Sequence, residues 1–391
     1  MKYNFDEHHD RSENQAIKLE FLEPMFGEKE LLPMWVADMD FPAAQPILDA
    51  LKERLEQGIF GYTALSDTYY NAFVKWVDRR HNWSIKKDHL IYSPGVVPSL
   101  IFSVLTMTNP GDKVIIQTPV YGPFKSTVEN HGRQVVLNPL NKTQEGYKMD
   151  LEDLKSKIDD QTKMILFCNP HNPVGKVWSK EDLQGLAELV VEHDLVLVSD
   201  EIHSDLILKG HKHFPIASFN KEIASRTITC MAPTKTFNLA GLQTSVLVVE
   251  NDEMREKLKH QFEIMDLKIN NCFGQVAFEA AYDHGEEWLD QLLDYIEGNI
   301  DFSMDYIEKN IPEISVSKPE GTYLMWFDMS SLNLTHKELM DFVVKEAKLA
   351  MTSGDFFGQE GRGYMRYNVA TTRAKVKKGL EQLETAIKRL R

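Results

Sequence analysis

Between about residues 90 and 250 the apolar positions of this chain fall into short unbroken runs, separated by stretches with helical spacing. The runs are KVIIQ (113–117), RQVVLN (133–138), KMILFC (163–168), LVLVSD (195–200), RTITCM (226–231) and SVLVVE (245–250). Several show no apolar–polar alternation, the pattern of strands buried on both faces. Alternating with helices, they predict a mostly parallel sheet covered by helical layers. Ser179, with Asp182 three residues later, predicts a capped helix running to about Glu192.

Beyond residue 251 the period changes. Amphipathic helical segments cover roughly 252–309, with Trp288, Leu289, Leu292, Leu293 and Ile296 on one face. A smaller α/β unit follows, with EISVS and GTYLMWFD as strands, a Thr335/Glu338 capping box, a strand near GYMRYNVA and a basic helix from Thr372. The expected division is an N-terminal segment over 1–50 packing on the small unit, a large domain over 51–285 and a small domain over 286–391. Internal repeats and low-complexity linkers are absent from the sequence, so the two domains should pack closely.

Length and composition narrow the class. A chain of 391 residues, 42% hydrophobic and 26% charged, reads as globular protein with more than one small core. A net charge of -15 argues against nucleic acid or an anionic membrane as partner, because phosphate would be repelled. Cys168, Cys230 and Cys272 are odd in number and lack ligand spacing, so neither a disulfide framework nor a metal site is expected. The opening MKYNFDEHHDRSEN is too polar for a signal peptide, and no run matches a membrane span, so the expected location is the cytoplasm.

Candidate chemistry gathers at strand ends. Asp200 closes LVLVSD, and open α/β sheets bind ligands beyond the carboxyl ends of their strands. An isolated aspartate there is ordinarily a helix cap or loop carboxylate. Lys235, in PTKTFNLAGL after RTITCM, falls in a turn at the same edge, where a lone lysine is ordinarily a solvated charge. NPHNPVG (169–175) follows KMILFC, and SPGVVPSL (93–100) follows HLIY with Gly95 just before a helical run. The latter suits an anion, since a helix N-terminus offers free N–H groups. The joint order of the four segments is what points to one site.

These residues, in this order, resemble the fold-type-I pyridoxal-phosphate enzymes of the class I/II aminotransferase family, over nearly the whole chain. WVADMDFP (35–42), NPHNPVG, SDEIHSDL and PTKTFNLAGL look most like the branch of cystathionine β-lyases and related cysteine C–S lyases. The resemblance implies an α/β, transferase-like fold of the aspartate aminotransferase type, with a mostly parallel central sheet and a smaller α/β domain. It also implies pyridoxal 5'-phosphate, an amino-acid substrate and a homodimer with shared active sites.

Residue by residue, the resemblance makes Lys235 the amine that bonds the cofactor and then acts as base, and Asp200 the partner of the pyridine nitrogen. Tyr121 is to stack on the ring and take part in catalysis, and Asn172 to bond the ring oxygen. Gly95, Val96 and Val97 are to cradle the phosphate, with Tyr62 reaching across a dimer to the neighbour's phosphate. Arg366 is to grip the substrate carboxylate, with Ala37, Asp38 and Tyr323, and also Trp35 and Tyr62, lining the substrate side. Ala232 stands where many relatives place a phosphate-binding serine, and Thr234 is the nearby hydroxyl. His203 replaces a frequent tyrosine; it either tunes the ring oxygen or is a packed neutral histidine.

The reaction so implied is β-elimination from an L-cysteine S-conjugate such as cystathionine, giving a thiol, pyruvate and ammonia. The rival is an aminotransferase using the same Lys235, Asp200 and Arg366. A third reading is a non-catalytic regulatory protein that carries the cofactor, although no added DNA-binding segment is seen. HKH (211–213) reads as a solvated loop, the basic final helix as a solvated face, and Arg373 as part of that helix.

Overall fold

The computed structural model describes residues 1–143 and 146–390. Among these residues a seven-stranded sheet runs, edge to edge, Leu90–Ser93, Ser245–Val248, Thr227–Met231, Val196–Asp200, Thr162–Cys168, Lys113–Ile116 and Gln134–Leu137. Ser245–Val248 is antiparallel to both neighbours; the other pairings are parallel. The central strands are buried on both faces, which explains their unbroken apolar runs: Met164 to Phe167, Leu197 and Val198 are wholly enclosed.

Helices cover both faces. Val96–Met107 packs across the strands from one side, burying Leu100 and Val104. Lys180–Glu192 begins at the predicted capping box, where Ser179 accepts from the Asp182 N–H and Asp182 bonds back to Ser179, and it buries Leu183, Leu186, Leu189 and Val190. The register aligns Cys168 with Asp200 and Asp200 with Cys230, so three successive connections leave the sheet at one edge.

The helical region beyond 251 comprises Asp252–Ile264, Cys272–His284 and Glu286–Asn310, broken where Asn271 caps the second helix and Gly285 separates it from the third. At Gly285 a Cβ would lie 2.4 Å from Cε1 of Phe237, so this junction packs too closely for a side chain. Trp288, Leu289, Leu292 and Ile296 of the long helix are buried, each contributing about 1.5–3 kcal/mol gross.

The second sheet orders Ser315–Val316, Leu324–Asp328, Tyr364–Asn368 and Thr352–Ser353, and the final helix Arg373–Leu390 packs on the long helix. The N-terminal segment joins it: Leu32–Pro33 pairs with Leu349–Ala350, and Asn368 donates its N–H to the Met34 carbonyl. The helix Gln45–Glu56 that follows spans both sides of residue 50 and packs on Cys272–His284. No helix among the described residues is long and apolar enough to cross a membrane.

Candidate functional site

A cavity of about 600 Å3 opens where the strand ends meet the second sheet and the N-terminal segment. It brings together Gly95, Val96 and Val97 from the connection after Leu90–Ser93, Tyr121 from that after Lys113–Ile116, Asn172 from that after Thr162–Cys168, Asp200 and His203 from the end of Val196–Asp200 and beyond, and Thr234 and Lys235 from the connection after Thr227–Met231. Arg366 enters from the central part of the second sheet, and Trp35 and Ala37 from the N-terminal segment. Trp35 and Arg366, 331 positions apart, converge because the N-terminal segment is stitched to the small sheet.

Lys235 sits in a one-turn helix, Pro233–Thr236, started by a proline whose missing N–H costs nothing there. Its Nζ donates to the Ala37 carbonyl at 2.6 Å, and the Tyr323 hydroxyl donates to the same oxygen at 3.0 Å. Burial, aided by the nearby Arg366 cation, pushes the lysine amine down to about 8. Asn238, in the left-handed region, fixes the turn: its side chain bonds the Met39 N–H and the carbonyls of Met39 and Phe41.

Asp200 closes its strand, with Oδ1 accepting the Ile202 N–H at 3.1 Å. Burial raises its carboxyl to about 7, so a cationic partner in the cavity would be needed to hold it ionised at neutral pH. Arg366 donates to Oδ1 of Asn172 at 3.0 Å, to the Trp35 carbonyl at 3.0 Å and to Oγ1 of Thr352 at 3.2 Å, and stacks 5.0 Å over the Phe357 ring. Its Nε is buried without a partner, and burial lowers the guanidinium to about 10. His203 is buried, with Nδ1 unpartnered, and burial drives it down to about 3; it is a neutral histidine on the cavity wall. Tyr121 lies half-buried with its ring edge on Phe356, 5.8 Å between centroids.

Several sequence expectations need correction. Asp38 does not line the cavity: its carboxylate pairs with Lys18 at 2.7 Å and Arg11 at 2.8 Å. Tyr323 is wholly buried and meets the site through the Ala37 carbonyl and through its ring, which lies edge-on to His203 at 6.2 Å between centroids. Tyr62 is 99% exposed and does not line its own chain's cavity, which leaves its expected place at a neighbour's site untouched. In HKH, His211 and Lys212 are exposed, but His213 is buried and meets Oε2 of the buried Glu201 at 2.8 Å, whose Oε1 accepts from the Ser199 hydroxyl.

Sequence reasoning missed a polar layer beneath Lys235. Asp205 accepts from Trp76 Nε1 at 3.0 Å and Thr236 Oγ1 at 2.9 Å, and meets His81 Nε2 at 2.9 Å. Although burial pulls its carboxyl up, His81, Thr236 and Trp76 together hold it below its ordinary value. The spacing Asp200, Glu201, Asp205 was visible; the donors come from distant elements.

Pyridoxal phosphate, the cofactor implied by the resemblance, fits this donor set. No side chain caps Val96–Met107, leaving the N–H groups of its first turn for an anion, and Pro98 at the third position has none to satisfy. A softened amine, a carboxyl awaiting a cation and an unspent arginine N–H share the cavity with them.

The model of the family "Aminotransferase class I and II" matches residues 30–383. The chain belongs to the class I and II aminotransferase family. That match includes the cavity residues named above from Trp35 to Arg366. Within the family's wider circle, the chain is 42% identical to "Cystathionine beta-lyase PatB" of Bacillus subtilis over 385 residues, 98% of this chain and 100% of that one. The crystal structure of cystalysin from Treponema denticola, which contains a pyridoxal 5'-phosphate cofactor, superposes with a TM-score of 0.97 at 36% identity, covering 100% of both chains. The PLP-bound C-S lyase from Staphylococcus hominis gives 0.92 at 36% identity, over 99% of this chain and 98% of that one.

Proposed function

We propose that this protein is a pyridoxal-phosphate-dependent C–S β-lyase, converting an L-cysteine S-conjugate and water to a thiol, pyruvate and ammonia. The observation that carries this reading is the convergence of Lys235, Asp200 and Arg366 on one cavity beside an uncapped helix N-terminus. The lyase relatives favour elimination over amino transfer.

The cofactor, when bound, supplies an aldehyde for the lysine and then the substrate amine, and a cationic ring that accepts the electron pair left on the α-carbon. Nζ of Lys235 takes the α-proton and returns a proton to the departing sulfur; burial lowers this amine toward neutral pH, which makes its free-base form more accessible than that of an ordinary lysine. Asp200 would hold the proton on the ring nitrogen. Asn172 would bond the ring oxygen, and Tyr121 would pack against the ring. The N–H groups at Gly95, Val96 and Val97, with the Thr234 hydroxyl, would hold the phosphate. Arg366 binds the substrate carboxylate through its planar fork.

The reading includes a homodimer. Ile59 and Phe60, 76% and 53% exposed, flank Tyr62 in a segment that one chain leaves uncovered, and a second copy would both bury them and receive Tyr62 at its phosphate site. Three free cysteines, two of them buried, suit the cytoplasm.

The test is to supply purified holoenzyme with S-benzyl-L-cysteine and, separately, L-cystathionine, with no keto acid, and to assay pyruvate. Stoichiometric pyruvate and thiol support the lyase; amino transfer only on adding a keto-acid acceptor would make the protein an aminotransferase instead.

A further inference from the structure

We infer that the substrate's sulfur substituent is uncharged and apolar, so that S-alkyl and S-aryl L-cysteines are preferred to cystathionine, which carries a second ammonium and carboxylate. The inference rests on the lyase reading above and specifies the substrate class of that site.

Among the described residues lining the cavity, Lys235 and Arg366 are the side chains with a full positive charge. Both are committed, one at the α-carbon and one at the α-carboxylate. Asp200 belongs to the ring nitrogen, and His203 is neutral. The wall that remains for the substituent includes Met25, Phe26, Trp35, Met340, Met351 and Phe356, beside the uncharged Gln243, Thr352 and Ser353, of which Ser353 meets His336 Nε2 at 2.8 Å and Thr352 donates to the Trp35 carbonyl at 2.8 Å.

That wall has little to offer a charge. The Trp35 indole N–H is spent on the Lys18 carbonyl at 3.0 Å, and the ring packs edge-on to Phe26. Arg11 and Lys18, behind the N-terminal segment, are held by Asp38 and Asp40 at 2.7–3.0 Å and Lys375 by Asp40 at 2.8 Å, and none of the three cations lines the cavity. The segment 57–65, which the proposed dimer brings to the neighbouring site, reads QGIFGYTAL and adds no charge.

Cystathionine's distal ammonium and carboxylate would lose water there without gaining partners. An alkyl or aryl group instead gains by burial. Three methionines supply flexible thioethers that re-pack around different shapes, which favours several such substituents over one.

Two unreactive analogues with methylene in place of sulfur separate binding from turnover: 2-amino-5-phenylpentanoate for S-benzyl-L-cysteine, and 2,7-diaminooctanedioate for cystathionine. Calorimetric titration of the holoenzyme should show the phenyl compound binding at least about tenfold tighter. Equal or reversed affinities would overturn the inference.

Met25, 61% exposed at the cavity mouth, tolerates a cation. Met25→Arg should narrow the affinity ratio by about tenfold, because it gives the distal carboxylate a partner; an unchanged ratio would place the substituent elsewhere and refute this wall. In parallel, kcat/KM for pyruvate release should favour S-benzyl-L-cysteine, and a cystathionine preference would contradict it. Pyruvate from neither compound, with the affinity order intact, would refute the lyase reading while retaining the apolar pocket.

Discussion

The hydroxyl of Thr236, the residue after Lys235, donates to Oδ2 of Asp205 at 2.9 Å. The turn that carries the reactive amine is thereby tied to the loop leaving Asp200, and the tie runs through a buried carboxylate with three donors. Asp205→Ala would leave Trp76, His81 and Thr236 unpaired in the core, costing about 3–5 kcal/mol, whereas Thr236→Val should cost about 1–3 kcal/mol. Urea unfolding of the two variants measures both, and equal losses would show that Thr236, not the carboxylate, organises the layer.

Asp200 gives the cofactor-free protein a specific pH dependence. Its carboxyl is raised by burial from 3.8 to about 7, so the folded state binds the proton more tightly than the unfolded chain. Stability from this group is therefore complete below about pH 4 and lost as pH rises through 7, on the order of 4 kcal/mol at most. Asp200→Asn removes the titration, so the stability difference between wild type and variant should slope across pH 4–7. A flat difference would mean that Asp200 is not desolvated in the free protein.

Arg366 is held by Asn172, Trp35 and Thr352 with one N–H unspent. Arg366→Ala should lower kcat/KM by roughly 10^2- to 10^3-fold, chiefly through KM, because the substrate carboxylate loses its buried partner. Arg366→Lys should recover only part of this, since an ammonium cannot reproduce the fork. Steady-state kinetics on one S-conjugate decide the split.

Tyr62 tests the shared site. Mixing Tyr62→Ala and Lys235→Ala chains after unfolding and refolding should restore activity to about a quarter of wild type, because each mixed dimer then holds one intact site. If the mixture is as inactive as the parents, Tyr62 does not serve the neighbouring chain.

Much of this architecture is legible in the sequence where burial is complete. Thr162–Cys168, Val196–Asp200 and Thr227–Met231 are long enough, and covered on both faces, for their apolar runs to declare them. Asp200 and Lys235 follow from strand-end logic. The hairpin strand Asn141–Thr143 and the strands Leu349–Ala350 and Thr352–Ser353 are two or three residues long, too short for any period.

Other features depend on contacts that no local pattern encodes. Asp38 and Ala37 are adjacent, yet one faces Lys18 and the other lends its carbonyl to Lys235. His81, Asp205 and Thr236 meet from three separate elements, and each is an ordinary residue in its own segment. His213 shows the same: between Lys212 and Phe214 in the chain, it is buried with its ring on Glu201.

The central claim is that one amine, Lys235, bears the cofactor. Borohydride reduction of the holoenzyme, followed by proteolysis and mass mapping, tests it most directly. The account predicts a single phosphopyridoxyl adduct on the lysine between Thr234 and Thr236. An adduct on a different lysine, or an active protein that yields none, would contradict it.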